Sequence, residues 1–446
     1  MSGENVHVAV LAFPFGTHAA PLLTLTQRLS TSAPNATFSF LSTTQSNTSI
    51  FTTQNLPNIK AYNIDDEPGN HVYTGSHEDY DLFMRSIPTI YNNGIQKSVL
   101  ETGKSITCFL TDLFLFHAAD LAEELKVPWI PFWTAGACSL STHLHTDLII
   151  KTITNHPGRE DMKLNFIPGM PTALQIKDLP MEVFGGDMGS MFVQLLLQMG
   201  KTLLRATAVA LNTFEELEQS VVDDFKLKFQ HCLAIGPFTL TNPKTLDLDR
   251  HDCLSWLSNQ KPESVVYISF GTLMVPPPDE ITALADALEK SGVPFLWSLK
   301  DNFKGQLPEG FMDRVSRRGM VVPWAPQAKV LEHPNVAVFV THCGWNSVLE
   351  SITGGVPMIC RPFFGDQKPN GRLVSDVWGI GVGAKDGVLS KDGLIDAFDL
   401  VVSKEQGKKL REKVQTLKEV ATQAVGDKGS STTNFNKLLG LVTSTN

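Results

Sequence analysis

The chain has 446 residues, more than one typical domain holds, and two domains are the natural expectation. Apolar residues make up 42% and charged residues 19%, enough material for two cores. A formal net charge of −9 disfavours nucleic acid or an anionic membrane surface as partner, so an anionic ligand would be held by local dipoles and a few placed side chains.

Taken in order, residues 6–15 (VHVAVLAFPF) read as a buried first strand and not as a signal peptide, since no basic stretch precedes a long apolar run. A Gly-Thr-His turn follows, then a helix over about 20–30 with Leu22, Leu25 and Leu29 at helical spacing. Residues 36–41 are a second strand. Residues 43–105 look irregular, with only 81–87 suggesting a helix. Strand 105–112 ends in Asp112, helix 114–125 follows, and strand 128–133 leads into a helix over 134–151. Residues 152–205 are loop-rich until an apolar helix near 191–204, and 206–214 and 232–238 look like late strands. This alternation argues for a parallel, doubly wound α/β sheet.

The rhythm lapses in the polar, Pro-bearing residues 239–252, the expected linker. It restarts with strands at 264–271, 294–299, 320–324, 336–340, 357–360 and 380–384, with helices between most of them, including 279–290. A charged amphipathic helix over 405–425 and a short helix at about 431–443 close the chain. No apolar run reaches the roughly 18 residues of a membrane span. The six cysteines show no CxxC or zinc spacing and read as free thiols in a reducing, cytoplasmic compartment. The two N-x-S/T sequons, at Asn35 and Asn47, are read as chance matches.

The densest segment is 324–367, WAPQAKVLEHPNVAVFVTHCGWNSVLESITGGVPMICRPFFGDQ. The apolar run VAVFV ends in the turn Thr341-His342-Cys343-Gly344, and Trp345-Asn346-Ser347 opens a helix that Asn346 or Ser347 can cap. A strand running through a Gly turn into a helix N-terminus presents backbone N–H groups and the helix dipole to an anion.

This segment closely resembles the signature of plant UDP-sugar-dependent glycosyltransferases acting on small molecules (family 1), and within it the chain looks most like the flavonoid (anthocyanidin or flavonol) 3-O-glucosyltransferases. The Trp-Ala-Pro-Gln opening, the central His-Cys-Gly-Trp-Asn-Ser and the final Asp-Gln carry the resemblance, joined by FPFGTH near the start, WTAG at 133–136 and YISFGT at 267–272. It implies a GT-B fold: two Rossmann-like domains, 1–238 for the acceptor and 253–428 for the UDP-sugar, facing across a cleft, with a final helix at about 429–446 packed back on the first. It implies a monomer whose partners are UDP-glucose and a flavonoid, and an inverting transfer giving a β-O-glucoside, at the 3-hydroxyl by the closest resemblance. Another small phenolic acceptor, or galactose as the sugar, is the alternative.

By resemblance, Trp324 stacks on the uracil and the Ala325 backbone pairs with its edge. Gln327 and Glu350 hold the ribose. Ser298, Thr272, His342, Asn346 and Ser347 surround the diphosphate. Thr134, Trp345, Asp366 and Gln367 contact the glucose, and Thr17 joins the donor set. A terminal Gln, where some relatives carry His, points to glucose over galactose. His18 is the base and Asp112 its orienting carboxylate. A neutral imidazole with a reference pKa of about 6.5 can take a phenolic proton at cellular pH, and Asp112 ends a strand at the same sheet edge. Phe13, Gly16, Phe114, His143, Phe192 and Phe364 are the expected acceptor contacts. Gly16 and Leu113 depart from the Ser and Ala common in relatives, which leaves acceptor shape open.

No cofactor and no metal are expected. The two Asp-x-Asp tripeptides, at Asp79 and Asp81 and at Asp247 and Asp249, do not follow strands, and His143 and His145 do not share a helix face. The rival readings are a nicotinamide-dependent oxidoreductase, which would need a GxGxxG after a strand, a UDP-sugar epimerase or hydrolase, and a non-catalytic binder of aromatics.

Overall fold

The computed structural model describes residues 5–51, 56–64, 77–156, 158–180, 191–241, 248–272 and 274–444, without the side chains of 77–82 and 191–192. Strand β1 (His7–Leu11) is buried along its whole length, the mark of a central parallel strand with both faces covered. Its one polar side chain, His7, is satisfied inside the core by the Ser39 hydroxyl at 2.8 Å and the Lys104 carbonyl at 2.9 Å.

Around it lie β2 (Thr37–Ser42), β3 (Ile59–Asn63), β4 (Cys108–Asp112), β5 (Trp129–Trp133), β6 (Val209–Leu211) and β7 (Cys232–Ala234), all parallel, in the order β3-β2-β1-β4-β5-β6-β7. The second sheet repeats the plan with β8 (Val265–Ser269), β9 (Phe295–Ser298), β10 (Gly319–Val322), β11 (Val336–Thr341), β12 (Met358–Cys360) and β13 (Gly381–Gly383), ordered β10-β9-β8-β11-β12-β13. In each sheet the order reverses beside the first strand, between β1 and β4 and between β8 and β11. Ligands of such sheets bind beyond the carboxyl ends of the strands at that reversal.

The expectation of an irregular 43–105 is corrected. A helix occupies Thr44–Ile50, β3 pairs in register with β2, and a 26-residue helix spans His77–Thr102. Its buried Phe83, Ile87, Tyr91 and Ile95 recur every four residues, a stripe masked by Pro88 and by the polar Asn92-Asn93-Gly94. The helix expected over 134–151 is two, Ala137–Leu144 and Thr146–Asn155. The one expected from 114 begins as a 3-10 turn, Leu113–Leu115, with the α-helix proper at Ala118–Leu125.

After the long helix Glu405–Ala424, the last helix, Ser430–Thr443, returns to the first sheet. Its Phe435, Leu438 and Val442 join the core formed by β1, β2 and the helix Ala19–Ser32, and Asn434 donates to the Ala234 carbonyl at 3.0 Å. Three further ties cross between the halves. The Trp345 indole donates to the Asn212 carbonyl at 2.7 Å, the Trp378 indole to the Leu217 carbonyl at 3.2 Å, and Arg372 pairs with both oxygens of Asp178 at 3.1 Å. No helix among the described residues is long and apolar enough to cross a membrane.

Candidate active site

A cleft cavity of about 460 Å³ opens where the two points of strand reversal face each other. Its first wall comes from the loop after β1, the turn after β4 and the start of helix Ala137–Leu144. His18 closes the loop after β1 and stands directly before helix Ala19–Ser32. Its Nδ1 lies 2.8 Å from Asp112 Oδ2, while the other carboxylate oxygen accepts the Phe114 amide N–H at 2.9 Å. Asp112 is therefore fixed by the turn it caps, 1% exposed, and it fixes the imidazole in turn. His18 keeps 21% exposure toward the cleft. Burial works to lower its pKa, but the charge and hydrogen bond of Asp112, helped by the charge of Asp366 from the opposite wall, leave it raised above 6.5.

Phe13 and Phe114 pack on His18 with ring centroids 5.4 and 5.0 Å away, and Phe114 meets Trp133 at 5.9 Å. His143 packs edge-on against Trp133. Its Nδ1 is buried without a hydrogen-bond partner among the described residues, and burial lowers its pKa to about 4, so it is neutral at cellular pH.

The second wall is the turn after β11 and the helix Trp345–Gly354. Cys343 takes a left-handed φ of 65°, bending the chain sharply out of the strand. The helix is capped by Gly344, with no side-chain cap, which corrects the expectation for Asn346 or Ser347. Their side chains stay available, and both line the cavity. The His342 ring is wedged between two glycines: a Cβ on Gly344 would lie 2.5 Å from its Nε2, and one on Gly271 2.9 Å from its Cε1. Burial lowers the His342 pKa to about 4, and its Nδ1 has no partner among the described residues. Behind it, Gln327 donates to Ser347 Oγ at 2.9 Å and to Glu350 Oε2 at 2.6 Å, and accepts from the Tyr267 hydroxyl at 3.2 Å.

Asp366 and Gln367 close the cavity. Burial raises the Asp366 pKa, partly offset by the Asn370 amide, which donates to it at 3.0 Å. Gln367 Oε1 accepts from the amides of Phe363 and Phe364 at 2.9 and 3.3 Å, which leaves its NH₂ group to donate.

The cavity thus gathers Phe13, Gly16, Thr17, His18, Phe114, Thr134 and His143 from one half. Thr272, Gln327, His342, Trp345, Asn346, Ser347, Glu350, Phe364, Asp366 and Gln367 come from the other. It does not include Ser298, Trp324 or Ala325. Ser298 ends β9, Ala325 is buried, and Trp324 stands beyond β10 with 40% exposure. The Phe192 side chain lies outside the described residues. The Trp345 indole N–H is taken by the Asn212 carbonyl, so Trp345, expected to contact the glucose, meets the cavity with its ring and backbone.

Of the Asp-x-Asp pairs, Asp79, Asp81 and Asp247 fall outside the described side chains. Asp249 accepts the amides of Cys253 and Leu254, capping helix Cys253–Ser258. No metal-binding group of His, Cys, Asp or Glu occurs among the described residues.

Sequence reasoning missed Trp133, Ser139 and Pro180 in the lining, and Asn212, whose carbonyl holds Trp345. Asn212 directly follows β6, at the same carboxyl edge of the sheet where Asp112 ends β4.

A histidine–carboxylate pair faces the N-terminus of helix Trp345–Gly354 across one cleft between twin parallel sheets. This defines a GT-B transferase that takes its sugar from a nucleotide donor. Residues 95–421 match the model of the UDP-glucoronosyl and UDP-glucosyl transferase family, and the chain belongs to that family. It is 52% identical to a flavonol 3-O-glucosyltransferase of Actinidia chinensis var. chinensis, over 98% of this chain and 97% of the relative. It is 47% identical to an anthocyanidin 3-O-galactosyltransferase of the same plant, over 100% and 99%. Among solved structures, it is similar to the complex of UDP-glucose: anthocyanidin 3-O-glucosyltransferase with UDP, at a TM-score of 0.93 and 40% identity, covering 100% of both chains.

Proposed function

We propose that this enzyme transfers glucose from UDP-glucose to the 3-hydroxyl of a flavonol or anthocyanidin with inversion, giving a β-O-glucoside. One observation carries the reading: His18, backed by Asp112 at 2.8 Å, faces the sugar-side pair Asp366 and Gln367 in the same cavity as the turn at His342–Ser347. His18 Nε2 takes the acceptor proton, the acceptor oxygen attacks the anomeric carbon, and the bond from that carbon to the UDP oxygen breaks. Asp112 stabilises the imidazolium as it forms.

In this scheme residues 1–238 with the last helix hold the acceptor, and 253–428 hold the donor across the 239–252 linker. Trp324 stacks on uracil and the Ala325 backbone meets its edge. Gln327 and Glu350 take the ribose. Thr272, Ser298, Asn346, Ser347 and the helix dipole take the diphosphate. The unpartnered His342 Nδ1 supports a role beside it. Thr17, Thr134, Asp366 and the free NH₂ of Gln367 orient the sugar. Phe13, Gly16, Phe114, His143, Phe192 and Phe364 shape the acceptor site, its rings suiting a flat phenolic. We place the enzyme in the cytoplasm as a monomer. The free, buried state of all six cysteines supports the compartment. Galactose as donor sugar is the second reading, supported by the galactosyltransferase among the relatives.

The test incubates purified protein with quercetin and UDP-glucose or UDP-galactose, with and without EDTA, and reads products by mass spectrometry and the linkage by NMR. A 3-O-β-glucoside formed in EDTA is expected, and His18→Ala abolishes it while UDP still binds. No glucoside, a linkage at another hydroxyl, or strict metal dependence would defeat the proposal.

A further inference from the structure

Resting on that reading, one charge is missing from the site as described. The diphosphate of a nucleotide sugar carries two negative charges, and the departing UDP develops more. The described lining of the cavity holds the carboxylates of Glu350 and Asp366 and contains neither lysine nor arginine. His342, at the expected diphosphate position, is neutral at cellular pH because burial lowers its pKa to about 4. Backbone dipoles at a helix start offer the equivalent of roughly half a charge.

We propose that Lys300 supplies the cation for the leaving diphosphate. It sits two residues past the carboxyl end of β9, beside β8, whose exit turn Gly271–Thr272 lines the cavity. Its ammonium donates to the Thr272 carbonyl at 2.7 Å, which holds the charge at the rim of the cleft. The partner is a neutral carbonyl, and among the described residues no carboxylate pairs with that charge. An ammonium has three donors, so two remain for phosphate oxygens. Lys300 is solvent-exposed, and its flexible four-carbon arm lets it turn inward when a phosphate arrives without disturbing the core. It thereby positions and neutralises the diphosphate without touching the acceptor.

The test compares full-length wild type, Lys300→Gln and Lys300→Arg for binding of UDP by titration calorimetry and of uridine by ligand-observed NMR, each at low and high salt. Glutamine should weaken UDP about tenfold, the size expected for one charge-assisted hydrogen bond, leave uridine unchanged and flatten the salt dependence of UDP binding. Arginine should keep UDP affinity within about threefold of wild type. Three results overturn the assignment: UDP affinity unchanged in Lys300→Gln, UDP and uridine weakened together (a brace for the Thr272 turn only), or arginine as damaging as glutamine. Failure of the wild type to bind UDP would instead sink the glucosyltransferase reading.

Discussion

The sharpest perturbation is Asp112→Asn. Both carboxylate oxygens of Asp112 are committed, one to His18 Nδ1 at 2.8 Å and one to the Phe114 amide at 2.9 Å. Asparagine has one oxygen, and the Phe114 N–H can only donate, so the oxygen stays there and the NH₂ group turns to His18. The imidazole must then accept at Nδ1 and carry its proton on Nε2, the nitrogen that should receive the acceptor's proton. The equivalent swap in a Ser–His–Asp triad costs about 10⁴ in kcat. A phenolic hydroxyl is more acidic than a serine, so less depends on the base, and kcat should fall by roughly 10³, about 4 kcal/mol of barrier. KM for UDP-glucose should hold within about twofold, since Asp112 lies behind His18 and does not line the cavity. The pH profile adds an independent check. A base works only when deprotonated, and the His18 pKa is raised, so wild-type kcat should climb with pH through a value above 6.5. Without the carboxylate that limb should move to lower pH. Initial rates over about pH 5 to 9 decide it; a variant keeping a tenth of wild-type kcat, or an unmoved acid limb, would refute the dyad.

Gly344→Ala should weaken UDP binding at least about tenfold with the fold intact, because its methyl would sit 2.5 Å from His342 Nε2 on a ring already backed by Gly271; calorimetry showing wild-type affinity would contradict the wedge. Trp345→Phe leaves the buried Asn212 carbonyl unpaired and should cost about 1–3 kcal/mol in denaturant unfolding, with a raised KM for UDP-glucose; unchanged stability would show that the indole tie contributes nothing. Acid should destabilise the protein between about pH 6.5 and 4, since the unfolded chain protonates His143 and His342 across that window while the folded one, with both at about 4, does not. His18 acts in the opposite sense, because its raised pKa contributes stability below 6.5 that is lost as pH rises through the folded value. Replacing His143 and His342 together by Asn should flatten the loss of stability from pH 7 to 5, and an unaltered slope would count against their buried neutral state.

Both sheets were legible because parallel strands buried on two faces write short β-branched runs, and β1, β8 and β11 do so almost without interruption. The segment 324–367 was legible for a second reason. Its expected contacts, centred on the turn after β11 and the helix Trp345–Gly354, lie close together in the chain. What escaped was long-range or edge-like. Strand β3, IKAYN, is a half-exposed edge with too few apolar residues to stand out. The helix His77–Thr102 hides its stripe behind a proline. Asn212 contributes a backbone carbonyl, and no residue type advertises that. Nor does sequence spacing reveal that Gly136 is needed because the Trp345 ring lies against it, 2.8 Å from where a Cβ would stand.

The cleft is joined by more than facing walls. Asp366, on the second wall, contributes through its charge to the raised pKa of His18 on the first, and His18 opposes the burial that raises Asp366. A sugar seated between them would hydrogen-bond the carboxylate and exclude water from the space the two charges share, which strengthens their interaction as the imidazolium forms. In the proposed mechanism His18 therefore gains its full support when the halves are held in this register, which the Trp345–Asn212, Trp378–Leu217 and Arg372–Asp178 ties join. Loosening that register should slow proton removal even where every residue that touches a substrate is intact.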